Sequence, residues 1–224
     1  MEPPDPIEQL RRELTAVAVP ADAAPMAAYM QHRFAFLGVK TPARRAASKG
    51  MIRHSTQGSI DDAVALAHQL RAQPEREFHY VAGDLLRANQ RRLRDEHIDD
   101  LRRLVTTDAW WDTVDALASP TIGTMVLHHP ALTETMDEWI DADDMWLARV
   151  AIIHQLRFGE HTDVERLHRY TLRRAADPEF FIRKAIGWAL RVYAKTDPDA
   201  IRSFVDAHVD TLSPLSIREA TKHL

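Results

Sequence analysis

One pattern recurs along this chain at a nearly fixed interval, and it constrains the fold more than any other feature. An aromatic residue near the start of a helical segment is followed by aliphatic residues at helical spacing. The pattern begins at residues 77, 111, 146 and 181, so its intervals are 34, 35 and 35 residues. A period of this length with two helices per repeat is typical of an α-solenoid, in which each helix pair buries its apolar face on the next pair.

Composition and helix-start signals predict that the chain is all-α. Glycine is scarce, with 7 residues, and many of the 12 prolines follow a residue that can cap a helix. Proline suits the first helical turn, so we expect helices to begin at Thr41-Pro42, Gln73-Pro74, Asp177-Pro178, Asp197-Pro198 and Ser213-Pro214. A helix is also predicted over Pro25–Phe36. No linker is rich in Gly or Ser, which predicts one domain over residues 1–224.

Several classes of chemistry find no support in the sequence. The absence of cysteine excludes disulfides, thiolate metal sites and cysteine nucleophiles. No glycine-rich phosphate loop or His-Glu-x-x-His motif is present, and the twelve histidines form no metal-ligand pattern. No apolar run approaches the length of a membrane span. We therefore expect no metal, no cofactor and a cytoplasmic protein.

Charge is segregated along the chain, although the net charge is only −4. Six Lys or Arg residues and no acid lie between Gln31 and Gly58, whereas six acids and no Lys or Arg lie between His128 and Met145. This distribution permits one positive face on an acidic body, as DNA binding requires. It is equally compatible with an ordinary solvated surface.

The segment from Asp108 to Leu117 carries a candidate site. Trp111 and Asp115 are four residues apart and share one face of a helix, while Trp110 and Val114 fall on a more apolar side. An aromatic plane beside a carboxylate can hold and neutralise a cation. The alternative is that the tryptophans belong to the core and the aspartates are solvated.

Two further segments place charge or aromatic side chains where they are unusual. Lys184, Trp188, Arg191 and Lys195 form one row along the helical segment Glu179–Lys195, separate from its apolar face. Phosphate contacts with an aromatic plane for a nucleotide would explain this row; packing of Trp188 on a neighbouring repeat would explain it as well. Arg149 is the one strong charge in an apolar helix, where it can also be a buried arginine paired with an acid.

In several collinear stretches the chain resembles the AlkD-type DNA alkylation repair glycosylases, a family of HEAT-like-repeat proteins. The matching stretches are Pro25–Met30, Phe36–Arg45, Pro74–Phe78, Trp110–Asp115, Trp146–Arg149, Phe180–Trp188, Tyr193–Pro198 and Leu212–Ala220. The resemblance implies a right-handed, ARM-repeat-like superhelix whose concave face binds duplex DNA. It implies a monomer that needs no obligate protein partner and that associates with the nucleoid when bound to DNA.

The resemblance also implies an activity, the excision of cationic N3- and N7-alkylated purines without base flipping, so that bulky adducts are tolerated. Asp115, Trp111 and Trp188 match the family's catalytic positions. Arg149 matches the family's arginine at the DNA backbone, and Tyr29 matches its N-terminal tyrosine at the site. Further DNA contacts are expected from the basic residues Lys40, Arg44, Arg45, Lys184, Arg191 and Lys195. Lys40 replaces the neutral residue usual before Thr-Pro in the family.

These residue types suit that reaction, because the alkylated purine is already a good leaving group and the sugar becomes positive as the bond stretches. A carboxylate about 4 Å from the sugar contributes about 4 kcal/mol at an effective dielectric near 20. That free energy corresponds to roughly a thousandfold in rate. No lysine stands out as a Schiff-base nucleophile, so monofunctional excision is expected. A non-catalytic damage-binding scaffold and a helical-repeat protein-interaction module are the alternative functions.

Overall fold

The computed structural model describes residues 5–224, so residues 1–4 of the predicted single domain lie outside it. The described chain is all-α, as predicted; an isolated bridge between Ala35 and Glu75 is its one β-type pairing. Its helices group into two compact units, one ending at Leu93 and one running from Arg94 to Leu224. The single domain stays a prediction, and each unit is described by itself.

The first unit contains five helices, in which α4 packs along α5 and α3 contacts α1, α4 and α5. Its core is formed by aliphatic residues spaced for one face of each helix, such as Leu10 and Leu14 on α1 and Val81 and Leu85 on α5. The helices are α1 (Pro6–Ala16), α2 (Pro20–Tyr29), α3 (Thr41–Ser55), α4 (Ile60–Arg71) and α5 (Arg76–Asn89).

The second unit is built around α10, whose residues from Trp146 to Ile153 are all buried. Helices α6, α7, α9, α11 and α12 contact α10, and α12 in turn packs closely on α14. The helices are α6 (Ile98–Thr106), α7 (Trp111–Leu117), α8 (Thr124–His128), α9 (Leu132–Trp139), α10 (Met145–Ile153), α11 (Val164–Arg173), α12 (Phe180–Tyr193), α13 (Pro198–Ala207) and α14 (Pro214–Ala220). A π-helical segment, Ala118–Gly123, joins α7 to α8.

The predicted period is present in the helix boundaries. Helices α5, α7, α10 and α12 begin at residues 76, 111, 145 and 180, so their intervals are 35, 34 and 35 residues. Side-chain hydrogen bonds within each unit span similar separations. Asn89 donates to Ser55 across 34 residues, and Tyr170 donates to Asp137 across 33. Equivalent positions of successive helix pairs therefore face each other, as expected of a helical repeat.

Proline predicted the start of some helices and misplaced others. Thr41-Pro42, Asp197-Pro198 and Ser213-Pro214 open helices, and the side chains of Asp197 and Ser213 cap them. The prediction is wrong at Gln73-Pro74, where α5 begins only at Arg76 because the amide of Arg76 donates to the carbonyl of Ala35. It is also wrong at Asp177-Pro178, where the Asp177 side chain accepts from the amide of Glu179 and delays α12 to Phe180.

The predicted helix over Pro25–Phe36 is also wrong in its bounds. The helix α2 begins at Pro20 and includes Pro25 in its interior. It ends at Tyr29 because Gln31 and His32 have positive φ angles, which a right-handed helix cannot contain.

Candidate active site

Asp115 and Arg149 form a two-point ion pair between α7 and α10. Arg149 Nε donates to Asp115 Oδ1 and Arg149 Nη2 donates to Asp115 Oδ2, each at 2.7 Å. The Arg149 side chain is 6 % exposed and the Asp115 side chain 18 %. Such fork-on-fork pairing fixes the orientation of a carboxylate as well as its charge. Asp115 is thus a positioned carboxylate that still reaches solvent.

A third hydrogen bond ties Arg149 to α12, because its Nη1 donates to the carbonyl oxygen of Phe181 at 2.6 Å. Three of the five guanidinium N–H groups are therefore used inside the protein, and two remain for another acceptor. The Arg149 guanidinium thus joins three helices that begin 34 or 35 residues apart, α7, α10 and α12, at one point.

An aromatic cluster supports this junction from the core side. The ring of Trp110 makes edge contacts with Trp146 and Phe181, with centroids 5.8 Å and 4.9 Å apart, and the Trp146 and Phe181 rings are 5.1 Å apart. Edge-to-face pairs of this kind are favourable for aromatic quadrupoles. Trp110 and Val114 are buried, as expected for the packing side of α7.

Burial of Asp115 and its pairing with Arg149 shift the pKa of Asp115 in opposite directions. Burial raises the pKa of Asp115 above its ordinary value, and the hydrogen bonds and positive charge of Arg149 oppose that rise. Nearby Asp112 raises the pKa of Asp115 slightly further. The carboxylate is therefore less well solvated than a surface aspartate, which strengthens its attraction for a cation.

Both candidate tryptophans are half-buried, each on a helix that contributes to the Arg149 junction. Trp111 is the first residue of α7, one turn before Asp115. Trp188 lies on α12 seven residues after Phe181, which places it on the same face two turns further along, about 10 Å away. The catalytic role of Trp111, Asp115 and Trp188 stays a prediction.

The basic row on α12 is partly neutralised by a residue that the sequence analysis missed. Glu219 of α14 pairs with Lys184 Nζ at 2.8 Å and with Arg191 Nη1 at 2.6 Å, which lowers the pKa of Glu219 to about 2. Lys184 and Arg191 thus join α12 to α14, whereas Lys195 lies exposed just beyond α12. Their contribution to DNA binding stays a prediction.

The side chains predicted to contact DNA in the first unit differ in their exposure and in their ion pairs. Tyr29 is 72 % exposed at the end of α2. Arg44 is buried, pairs with Asp84 at 3.3 Å and lies over the ring of Tyr80 at 4.7 Å. Burial lowers the pKa of Arg44, with Asp84 opposing that shift. Lys40 pairs with Asp22 at 2.8 Å, and Arg45 lies 3.7 Å from Asp84, both with exposed side chains. The DNA contacts assigned to Tyr29, Lys40, Arg44 and Arg45 also stay predictions.

A second buried carboxylate, also missed from the sequence, organises the chain before α3. Glu77 is fully buried and accepts hydrogen bonds from the amides of Leu37, Gly38 and Val39 at 3.0–3.1 Å. Gly38 has φ +90°, and a Cβ there would collide with the carbonyl of Val19. In the sequence, Glu77 was considered only as part of an apolar helix. Its hydrogen-bond partners lie 38 to 40 residues earlier in the chain, so local spacing did not reveal them.

Two other findings concern metal binding and membrane-spanning helices. Among residues 5–224 no group of three or more acidic or histidine side chains is arranged to hold a metal ion. Within the same residues, no helix combines the length and the apolar character that a membrane crossing requires.

Comparison with known proteins agrees with the sequence resemblance. A family model for DNA alkylation repair enzymes matches residues 10–224. The structure is similar to that of an Enterococcus faecalis protein described as a predicted DNA alkylation repair enzyme, with a TM-score of 0.87 and 36% sequence identity over 92% of this chain and 96% of that one. No curated protein matches the chain. The family match and the structural similarity both extend over nearly the whole chain, which therefore belongs to the DNA alkylation repair enzyme family.

Proposed function

We propose that this protein is a monofunctional DNA glycosylase that hydrolyses the N-glycosidic bond of cationic N3- and N7-alkylated purines in duplex DNA. The observation that carries the proposal is Asp115, a carboxylate held at two points by Arg149 and still reaching solvent. Trp111 and Trp188 would hold the lesion nucleoside by cation–π contact, worth roughly 0.5–2 kcal/mol each. The enzyme would act as a monomer without a cofactor, in the cytoplasm.

In the proposed reaction the C1′–N bond breaks and its electron pair neutralises the cationic purine, which leaves as the free base. The sugar becomes positive, and the negative charge of Asp115 stabilises it. Water attacks C1′ and forms the new C1′–O bond, the Asp115 carboxylate accepts a hydrogen bond from that water and orients it, and the proton that the water loses passes to solvent. Each Asp115 oxygen can accept that hydrogen bond because Arg149 uses one of its lone-pair directions and leaves the other.

We further propose that the base stays stacked while the sugar reacts, so that bulky adducts are accepted. Support comes from membership in the DNA alkylation repair family and from the resemblance of the site residues to AlkD-type enzymes. Excision of N7-methylguanine should then differ little from excision of a larger N7 adduct.

The proposal is tested by base release from a duplex containing N7-methylguanine under single-turnover conditions. Asp115→Asn removes the negative charge but leaves Arg149 in place, so release should slow by roughly two orders of magnitude or more. DNA affinity should stay within a few-fold. The matched control is Asp112→Asn, the same change three residues earlier on α7, which should leave the rate within about threefold.

One observation favours the alternative of a non-catalytic damage-binding scaffold, because Arg149 neutralises much of the charge of Asp115. A scaffold binds alkylated duplex in a salt-dependent manner and releases no base. Absence of base release from the wild-type protein would support the scaffold, and an unchanged rate in Asp115→Asn would contradict the role of Asp115.

A further inference from the structure

Four glycines lie inside helical segments, namely Gly50, Gly83, Gly123 and Gly187. At Gly123 and Gly187 the packing of the described residues gives a reason for glycine. A Cβ at Gly123 would collide with the carbonyl oxygen of His154, and one at Gly187 would lie 2.8 Å from the carbonyl oxygen of Ser216. A Cβ at Gly50, in the interior of α3, would meet nothing within 4 Å. Glycine is disfavoured relative to alanine in an exposed helix, so Gly50 costs stability without improving the packing of the protein.

Gly50 lines an open cleft on the exposed face of α3. The cleft has a volume of about 490 Å³. It is lined by Ala46, Lys49, Gly50, Arg53, His54 and Gln57. These positions are spaced at i, i+3, i+4, i+7, i+8 and i+11, which is one side of a helix. Gly50 thus lies between the cationic residues Lys49 and Arg53, and Ala46 lies about one turn before Lys49.

The cations of this cleft are not neutralised by the protein. Neither Lys49 nor Arg53 forms an ion pair with another part of the chain between residues 5 and 224, and both are exposed. The N-terminal half of α3 differs, because Arg44 and Arg45 share Asp84. No acid occurs in the sequence from Gln31 to Gly58. The charge of the cleft is therefore available to an external anion.

We propose that this cleft binds the sugar–phosphate backbone of duplex DNA, with Lys49 and Arg53 on either side of a phosphate and Gly50 admitting the backbone close to the main chain of α3. The Gln57 amide can donate to the same phosphate or to its neighbour. This inference rests on the proposed function only in its choice of duplex DNA as the partner. It adds a sequence-independent contact that raises affinity without taking part in bond cleavage.

Gly50→Ala tests the close approach, because it separates stability from binding. The added methyl group improves helix propensity, so the midpoint temperature of unfolding should rise by a few degrees. Affinity for undamaged duplex should nevertheless fall on the order of fivefold, and Gly50→Leu should lower it further. The matched control is Gly58→Ala. A Cβ at Gly58 also meets nothing within 4 Å, but Gly58 does not line the cleft.

The phosphate contact is tested separately by the salt dependence of binding. Lys49→Ala with Arg53→Ala should reduce the slope of log affinity against log salt concentration by about 1, since the two residues neutralise one phosphate and each neutralised phosphate contributes about 0.9. Arg12→Ala with Arg91→Ala removes the same charge from exposed positions of the same unit. An equal reduction in that control would show that net charge, rather than the cleft, is responsible, and would overturn the inference.

The outcomes distinguish this inference from the proposed function. The Gly50 variants should raise the protein concentration needed for excision and leave the single-turnover rate at saturation unchanged. If both Gly50 variants bind duplex DNA with wild-type affinity and still excise the base, the proposed DNA contact at the cleft is wrong and the proposed function stands. Binding of duplex DNA by the wild-type protein without base release overturns the proposed function, and the cleft is still tested by affinity.

Discussion

At the scale of single residues, the pairing of Asp115 with Arg149 explains how a carboxylate can be half-buried, charged and aimed at the same time. An aspartate alone in this position would lose solvation and take up a proton at a higher pH, because burial already raises its pKa. Arg149 opposes that rise and fixes both carboxylate oxygens. In the proposed reaction Arg149 is therefore a positioning residue.

Replacing Arg149 should change the pH dependence of excision as well as its rate. Arg149→Met removes the hydrogen bonds that lower the pKa of Asp115, so that pKa should rise further. The proposed excision needs the deprotonated carboxylate of Asp115, so it should be lost as pH falls through the folded-state pKa of that group. The acid limb of the single-turnover pH–rate profile should therefore move to higher pH in Arg149→Met.

Arg149→Lys provides the control for that experiment, since Arg149→Met leaves a buried carboxylate unpaired and can cost about 3–5 kcal/mol of stability. Lysine keeps the positive charge but not the two-point geometry. The acid limb should stay closer to that of the wild type while the rate at neutral pH falls. A pH profile that is the same in both variants and the wild type would contradict the positioning role.

The sequence predicted the surroundings of these side chains better than their partners. Helical spacing alone separated buried Trp110 from half-buried Trp111. The Asp115–Arg149 pair was left open as a general possibility, because 34 residues separate the partners and spacing does not decide which of many acids an arginine meets. Glu219 was missed for the same reason.

At the scale of elements, the close contact of α12 with α14 depends on Gly187. Ser216 and Glu219 of α14 approach the main chain of α12 where the glycine has no side chain. Ser216 Oγ also donates to the carbonyl of Arg183 at 3.0 Å. The close approach brings Glu219 to Lys184 and Arg191, so one missing side chain permits both ion pairs.

Gly187→Ala should destabilise the second unit even though alanine favours helix. The new Cβ would lie 2.8 Å from the Ser216 carbonyl oxygen, a backbone atom that cannot rotate away. Overpacking of this kind costs typically about 1–3 kcal/mol, against a propensity gain of about 1 kcal/mol. Thermal unfolding should show a lower midpoint, opposite in sign to Gly50→Ala; a higher midpoint would contradict the close packing.

Helix positions were predicted well where local signals agree with tertiary contacts. Asp197 and Ser213 cap helices as their spacing before proline predicts. The start of α5 was misplaced because the bridge between Ala35 and Glu75 keeps Pro74 outside the helix, and this pairing joins residues 40 apart. Such long-range pairing overrides a cap signal and leaves no local trace in the sequence.

At the scale of the whole molecule, the repeat period and the family resemblance predicted the all-α fold, but the division of the described chain into two compact units was not expected. All five tryptophans follow Arg94 in the sequence. Tryptophan fluorescence therefore reports on the second unit, which also contains the buried His154.

The stability of the second unit should fall in mild acid because of His154. Burial lowers the pKa of His154 to about 4 from its ordinary value of 6.5. Between those two pH values the unfolded chain binds a proton that the folded chain does not, so stability present above pH 6.5 is lost as pH falls toward 4. Urea unfolding followed by tryptophan fluorescence should give a free energy about 1 kcal/mol lower at pH 5.5 than at pH 7.5.

His154→Phe removes the titrating group and should reduce that difference, whereas His161→Phe, at an exposed position, should leave it unchanged. If the free energy of unfolding of His154→Phe differs as much between pH 5.5 and pH 7.5 as that of the wild type, other groups cause the acid sensitivity.

The carboxylate of Glu77 has a consequence for how the first unit forms during synthesis. It joins α5 to the amides of Leu37, Gly38 and Val39, about forty residues earlier in the chain. Until α5 has left the ribosome, those amides have water but not Glu77 as their acceptor, so we expect the segment before α3 to reach its final conformation only after α5 is available. We therefore expect the first unit to complete its folding only after α5, its last helix, has been synthesised.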